Sequence, residues 1–261
     1  MLYIVATPIG NLGEITYRAI EILNSVDYIA CEDTRTSRVL LDAYNIHKPL
    51  IAYHKFNETK ASIDIIKDLQ NGKNIAIISD AGMPGISDPG TIVIRSAIEN
   101  NLDYTVVSGP SALINAFVLS GYDTPFTFIG FLPEDNKAID ILEKFVNVDS
   151  TLIFYCSPHS IDNDLKKMYQ VLGDREICVV REISKKFEDV HFDNLSTGYT
   201  GILKGEFVVL VKKSTQTTSI DVDKNMQTLL DMGLTKTEAS KVIAKLTGTK
   251  KSDLYKRLNN K

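Results

Sequence analysis

The sequence predicts an α/β protein with a parallel-sheet N-terminal domain, a smaller mixed-sheet α+β domain and a short helical module after them. Three observations support this prediction. Apolar runs alternate with segments of helical spacing up to residue 121, the composition changes at residues 122–134, and the end of the chain is basic and helical in pattern. A chain of 261 residues is long enough for two domains and a small extension. We therefore place the domains at residues 1–121, 122–213 and 219–261.

The first domain is predicted from strands and helices that alternate along the chain. Runs rich in β-branched residues predict strands at residues 2–6, 28–31, 75–79 and 104–108. Between these runs, apolar side chains recur at the three- and four-residue spacing of helices that bury one face. Such alternation predicts a mainly parallel sheet with helices on its faces.

The second domain is predicted from a different pattern. Gly and Pro surround the aromatic run at residues 126–131, which we interpret as a linker strand between the domains. Further strands are predicted at residues 151–155, 177–180, 188–192 and 207–211. Because a helix follows the first of these, at residues 160–171, and the other connections resemble hairpins, we expect a mixed α+β domain.

The composition and the first residues predict where in the cell the protein functions. No segment reaches the ~20 apolar residues of a membrane helix, and we interpret the first ten residues as a buried strand, not a signal peptide. The three cysteines match no metal or redox motif. We expect them to be buried free thiols in a cytoplasmic protein without a metal site or a membrane partner.

The charge is distributed unevenly. The net charge is −4, yet residues 236–261 hold eight Lys and Arg against two Asp and Glu. A basic tail on an acidic body is typical of a protein that binds a polyanion. A helical tail that only improves solubility would have the same composition, so both interpretations stay open on charge alone.

The turn at residues 79–90, SDAGMPGISDPG, predicts a ligand site. It follows an apolar strand and holds five Gly and Pro in twelve residues. Gly permits close approach of the backbone to a ligand, and Pro stiffens the loop. Two further Gly/Pro loops, at residues 7–13 and 108–112, follow other strands. Ligands of open α/β sheets bind at this strand edge, so the three loops predict a cleft.

Two familiar nucleotide sites are excluded by the same loops. The first loop lacks the GxGxxG fingerprint of Rossmann-type sites, and no loop carries a P-loop lysine. The spacing therefore predicts a ligand cleft of another design in an α/β sheet.

Six motifs taken together resemble the tetrapyrrole-methylase family, a two-domain fold that uses S-adenosylmethionine. They are TPIGNLGEIT, ACEDTR, ISDAGMPGISDPG, SGPSALINA, FIGFLP and GEFVVLV, and they extend over nearly the whole chain. Within the family they are similar to the branch that methylates the ribose 2′-hydroxyl of a cytidine in 16S ribosomal RNA, in the decoding centre of the small subunit. The resemblance also implies a homodimer.

The resemblance implies that S-adenosylmethionine lies folded between the two domains, held mainly by backbone contacts. The implied cofactor residues are Pro8, Ile9, Gly10, Asp80, Gly82, Met83, Ser111, Ala112, Cys156, Arg181 and Glu206. The sequence departs from the family pattern where Met83 replaces a usual Thr, and where Cys156 and Ser160 replace an acidic residue and an Arg. It departs again where Phe56 replaces the second His of a His-x-His-Asn-Glu motif.

Methyl transfer to a ribose needs a group that removes the hydroxyl proton. The candidates are Glu32, Asp33, His54 and Glu58, and the acidic pair is preferred because it directly follows a predicted strand. A local salt bridge at a helix start and an ordinary polar His are the structural alternatives for these residues. The candidate contacts to RNA phosphate are Arg35, Arg38, Lys241, Lys245, Lys250 and Lys251.

Three functions remain open from the sequence. The first is methylation of ribosomal RNA or the small ribosomal subunit, which the basic tail and the ACEDTR motif favour. The second is carbon methylation of a tetrapyrrole. The third is a ribosome assembly factor that binds S-adenosylmethionine without turnover.

Overall fold

Five parallel strands form the first sheet, in the order β3-β2-β4-β1-β5. Their bounds are β1 (Leu2–Val5), β2 (Tyr28–Cys31), β3 (Leu50–Ala52), β4 (Ile75–Ile78) and β5 (Tyr104–Val107). The computed structural model describes residues 1–214, 222–247 and 249–254. The predicted parallel sheet is confirmed, and β3, a three-residue strand at its edge, was not predicted.

Helices cover both faces of this sheet. They are α1 (Tyr17–Ser25), α2 (Thr34–Ala43), α3 (Glu58–Gln70), α4 (Thr91–Glu99) and α5 (Ala112–Ser120). On one face, Ile4 and Ile77 pack with Ile65 of α3. On the other face, Ile29 packs with Leu23 of α1. Because parallel strands are buried on both faces, they read as continuous apolar runs.

A second, mixed sheet has the order β6-β7-β10-β8-β9. Its strands are β6 (Phe126–Phe131), β7 (Thr151–Cys156), β8 (Glu176–Arg181), β9 (Asp189–Asn194) and β10 (Phe207–Val211), with α6 (Lys137–Glu143) and α7 (Ile161–Leu172) between them. The strand interpreted as a linker is instead the edge strand of this sheet, parallel to β7. The other pairings are antiparallel.

Helix α5 also packs on the second sheet. Its Ala116 is buried with Val180 of β8 and Leu210 of β10, and Ile9 from the loop after β1 joins the same cluster. This packing brings the carboxyl ends of the parallel strands towards β10. Both sheets belong to one compact unit, Met1–Lys213, and the domain boundary at residue 121 stays a prediction.

The second unit, Ser214–Lys261, contains α8 (Val222–Asp231), α9 (Lys236–Thr247) and a helical turn at residues 251–254. Met226, Ile243 and Leu254 are buried together. Residues 219–221, 248 and 255–261 of the predicted module lie outside the described residues. Within the ranges described, no helix is both long and apolar enough to cross a membrane.

Candidate functional site

A cavity of about 570 Å³ lies at the carboxyl ends of β1 and β4, and β10 forms its opposite wall. Eight of the eleven cofactor residues implied by the resemblance line it, namely Ile9, Asp80, Gly82, Met83, Ser111, Ala112, Cys156 and Glu206. These residues come from five separate stretches of the chain, so the fold brings together what the sequence holds far apart. Pro8, Gly10 and Arg181 do not line it.

The loop after β1 and the Gly-rich turn after β4 are joined to each other by hydrogen bonds beside the cavity. Thr7 and Gly82 exchange backbone hydrogen bonds of 2.9 and 3.1 Å. The buried Thr7 hydroxyl also donates to the carbonyl of Ser79, at 3.2 Å. Gly82 adopts φ +78°, a conformation that favours glycine, and so its amide can form this bridge. The Gly-rich turn is therefore held against the loop after β1.

Gly10 does not line the cavity and lies against the side chain of Lys185. It adopts φ +148°, and a Cβ placed there would lie 2.4 Å from Cγ of Lys185. The Lys185 ammonium forms ion pairs with Glu182 at 2.8 Å and Glu206 at 2.9 Å. Because Gly10 has no Cβ, the Lys185 side chain fits beside it and links the loop after β8 to Glu206 in the cavity wall. Ser184 in that loop donates a hydrogen bond to the Glu14 carboxylate.

The polar wall of the cavity is acidic. Burial and neighbouring carboxylates raise the pKa values of Glu32, Asp80 and Asp88 above their usual range. For Asp88 the pKa is about 6, because burial is reinforced by Glu32, Asp80 and Glu206. Asp88 was missed as a site residue, although it lies in the Gly-rich turn that the sequence singled out.

A groove of about 420 Å³ adjoins the cavity. The groove is lined by Glu32, Asp33, Thr34, Ala52, His54, Lys55 and Phe56. Glu32 lines both the cavity and the groove, so it lies at their junction. Two of the predicted catalytic candidates, Asp33 and His54, are therefore beside Glu32.

Asp33 is engaged by its own helix. Its Oδ1 accepts from the Arg35 backbone amide at 2.8 Å, which caps α2, and its Oδ2 pairs with the Arg35 guanidinium at 2.7 Å. These hydrogen bonds lower the pKa of Asp33 to about 2. The local salt bridge considered as a structural alternative is thus present, between Asp33 and Arg35.

The remaining predicted residues lie elsewhere. Glu58 is the first residue of α3 and lines neither the cavity nor the groove. Arg38 is exposed on α2, and Arg181 donates to the carbonyl of Lys204 at 3.4 Å. In the second unit, the four lysines predicted to contact RNA are all exposed, namely Lys241, Lys245, Lys250 and Lys251.

The cavity fits S-adenosylmethionine. That molecule carries a sulfonium and an ammonium group, which match the acidic wall formed by Asp80, Asp88 and Glu206. Its adenine matches the apolar wall, to which Tyr155 and Val208 belong. The volume of about 570 Å³ is typical of small-molecule sites. Within the described ranges, no group of three His, Cys, Asp or Glu side chains is arranged to hold a metal ion.

The chain is similar to one protein family and to named relatives over most of its length. Residues 1–197 match the family model described as Tetrapyrrole (Corrin/Porphyrin) Methylases. A protein of Mycoplasmopsis pulmonis named "Ribosomal RNA small subunit methyltransferase I" is 43% identical over 213 residues, which are 80% of this chain and 96% of that protein. A protein of the same name from Bacillus subtilis is 37% identical, with 98% of this chain and 92% of that protein covered.

Solved structures share the architecture at low sequence identity. Diphthine synthase matches with a TM-score of 0.65 and 12% identity, covering 83% of this chain and 92% of that one. Uroporphyrin-III-C-methyltransferase from Thermus thermophilus matches with a TM-score of 0.58 and 16% identity, covering 81% and 94%. These likenesses concern the fold, which is the one that the sequence predicts.

Proposed function

Because the chain belongs to the tetrapyrrole (corrin/porphyrin) methylase family, we propose that it is the methyltransferase that modifies a cytidine ribose of 16S ribosomal RNA in the decoding centre. The chain is a methyltransferase whose donor is S-adenosylmethionine. We choose ribosomal RNA as the substrate because relatives named "Ribosomal RNA small subunit methyltransferase I" align with nearly the whole chain. The observation that best supports an external acceptor is the position of Glu32 between the cavity and the groove.

The cavity would hold the donor through the chain's own backbone and carboxylates. S-adenosylmethionine supplies an electrophilic methyl group on a positively charged sulfur. Asp80 and Glu206 face the cavity from its two walls and favour that charge. Gly82 and Ala112 leave room for close contact, and Met83 contributes through its backbone, which is insensitive to the change from Thr. These contacts would hold the donor in one orientation, from which in-line attack gains much of its rate.

We assign the removal of the ribose proton to Glu32. A base must reach the acceptor beside the donor, and Glu32 is the predicted candidate that lines both the cavity and the groove. Burial raises the pKa of Glu32, which strengthens it as a base. Asp33 is a weaker base, because Arg35 holds its pKa near 2. His54 lines the groove but not the cavity, and Glu58 lines neither, so both are less well placed than Glu32 to reach an acceptor beside the donor.

The basic second unit would contact RNA phosphate. Lys241, Lys245, Lys250 and Lys251 are exposed, and Arg38 of α2 is an exposed cation on the first unit. Phosphate contacts hold a protein on its RNA without selecting the sequence. We propose that this unit strengthens binding to the small ribosomal subunit in the cytoplasm, while the groove and the cavity select the nucleotide.

We also propose a homodimer through the outer face of β5 and α5. The β5 edge exposes Tyr104 and Val106, and α5 exposes Ile114, Val118 and Leu119. Exposed apolar faces of this kind mark interaction surfaces. Analytical ultracentrifugation of the wild type and Val118→Glu tests the assignment. A dimer that the substitution dissociates supports it, and a wild-type monomer contradicts it.

One assay separates the proposed function from its two alternatives. The protein is incubated with methyl-labelled S-adenosylmethionine, small ribosomal subunits from a strain that lacks this methyltransferase, and in parallel a tetrapyrrole precursor. Label in a ribose of the ribosomal RNA supports the proposal. Label only in the tetrapyrrole supports carbon methylation, and binding without any transfer supports an assembly factor.

A further inference from the structure

Phe56 is an exposed aromatic side chain in the lining of the groove. Its exposed fraction, 94%, is the highest among the exposed large apolar side chains of the described residues. Leaving a ring in water gains nothing for folding, since apolar surface stabilises a protein only when it is removed from water. Its place in the groove wall indicates a ligand with an apolar face.

The turn that carries Phe56 is held rigidly. The Asn57 amide donates to the carbonyl of His54 at 2.9 Å, and Asn57 Oδ1 accepts from the His54 amide at 2.8 Å. The Asn57 side chain also donates to the carbonyl of Ala52 in β3, at 2.9 Å. The ring of His54 lies edge-on to Phe56, with centroids 6.2 Å apart. An exposed ring on a fixed turn loses little conformational freedom when a ligand stacks on it.

We propose that the groove is a nucleobase subsite, in which a base of the RNA substrate stacks on Phe56 beside the ribose held at Glu32. This inference rests on the proposed function. Single-stranded RNA is commonly recognised through unstacked bases that pack on aromatic side chains. Because Glu32 lines both the groove and the cavity, a base in the groove is within one nucleotide of the donor site.

The charges of the groove favour a nucleobase over other flat ligands. Glu32 and Asp33 place two carboxylates in the lining, of which Asp33 is paired with Arg35, and Lys55 adds one cation at the outer turn. A tetrapyrrole precursor carries several carboxylates of its own, which these side chains would repel. A nucleobase is neutral, and Lys55 is available for the phosphate attached to its ribose.

Substitutions at Phe56 test the subsite. Phe56→Ala is expected to lower kcat/KM for small ribosomal subunits by about 5- to 150-fold, the loss that corresponds to one base–aromatic stack. Phe56→Tyr keeps a ring and should retain most of the activity. Both should bind S-adenosylmethionine as the wild type does, because Phe56 does not line the cavity. Tyr169→Ala, which removes a half-exposed ring from α7, is the matched control and should leave kcat/KM unchanged.

A direct measurement accompanies the kinetics. Ultraviolet cross-linking of the wild type to the subunits, followed by trypsin and mass spectrometry, should place a nucleotide on the peptide of residues 56–60. Wild-type kcat/KM in Phe56→Ala would contradict the subsite, as would a loss of dimer in that variant, which would show a contact between protein copies. If the wild type methylates no ribosomal RNA, the proposed function fails instead, and a cross-link at residues 56–60 would still support base binding.

Discussion

The backbone amide of Asp33 donates a hydrogen bond to Oδ1 of Asp80, at 3.1 Å. This bond ties the carboxyl end of β2 to that of β4, its neighbour in the sheet. It also anchors the segment that carries Glu32, so that Glu32 is held between the cavity and the groove. The two residues of the predicted acidic pair therefore differ in environment, since Asp33 caps α2 whereas Glu32 lines both the cavity and the groove.

Glu32→Gln should separate catalysis from cofactor binding. Loss of the proposed base is expected to lower the single-turnover rate by about 10²- to 10⁴-fold. The affinity for S-adenosylmethionine, measured by calorimetry, should change little. Asp33→Asn serves as the comparison and should retain far more activity, because Asn still caps α2. If Asp33→Asn is the more damaged variant, the assignment of the base to Glu32 is wrong.

Asp88 should make stability depend on pH. Its pKa is raised to about 6, so the folded state binds the proton more tightly than the unfolded chain, whose Asp has a pKa near 3.9. The stabilising contribution is present below about pH 4 and is lost as the pH rises through 6. Asp88→Asn stays neutral at every pH and avoids that loss.

The free energy of unfolding is measured in urea without ligand. The value for Asp88→Asn, relative to the wild type, should rise by about 1–2 kcal/mol between about pH 4.5 and about pH 7.5. This change in free energy is smaller than the one that the full pKa shift would give, because Asp88 is only partly buried. A difference between Asp88→Asn and the wild type that stays constant over these pH values would refute the raised pKa.

Gly10→Ala should disturb the site through Lys185. The added Cβ would lie 2.4 Å from Cγ of Lys185, so the lysine side chain must shift, which would disturb its ion pairs with Glu182 and Glu206. We expect weaker binding of S-adenosylmethionine by about tenfold, or about 1.4 kcal/mol. Gly173 also adopts a positive φ, but a Cβ added there meets no atom within 4 Å, so Gly173→Ala is the control that adds backbone strain without a clash.

A double-mutant cycle isolates the Gly10 effect. Lys185→Ala removes the obstructing side chain, so adding Gly10→Ala to it should cost less binding free energy than Gly10→Ala costs in the wild type. Strict additivity of the two changes would mean that the contact between these residues does not matter for the site.

Deletion of residues 219–261 should weaken RNA binding alone. The lysines of this segment are expected to contact phosphate, so the affinity for the small ribosomal subunit should fall, together with its dependence on salt. The affinity for S-adenosylmethionine should be retained, because the cavity is formed within Met1–Lys213. Unchanged subunit binding would support the tail as a solubilising extension.

The parallel sheet and the loops at its edge could be predicted because their signals are local. Buried parallel strands are continuous apolar runs, and the turn after β4 carries its Gly and Pro in sequence. The strand β3 was missed because it has three residues, two of which are exposed. Its short length leaves no periodic pattern to detect.

The grouping of the site could not be predicted in the same way. Glu32, Phe56 and Asp88 come together because β2 lies between β3 and β4, and the spacing of apolar residues does not encode that strand order. The contact of Gly10 with Lys185 joins the two sheets across most of the chain. Both residues are present in the sequence, but nothing in their spacing predicts that they are in contact.

The proposed function is tested most directly by mass spectrometry of the ribonuclease fragments of 16S ribosomal RNA, and of the nucleosides in each fragment, after reaction with the protein. Small ribosomal subunits from a strain lacking this methyltransferase are incubated with S-adenosylmethionine and the wild type, or with Glu32→Gln as the control. We expect 2′-O-methylcytidine to appear at one decoding-centre position with the wild type and to be nearly absent with the variant. A methyl group found on a nucleobase, or no methylated cytidine with the wild type, would contradict it.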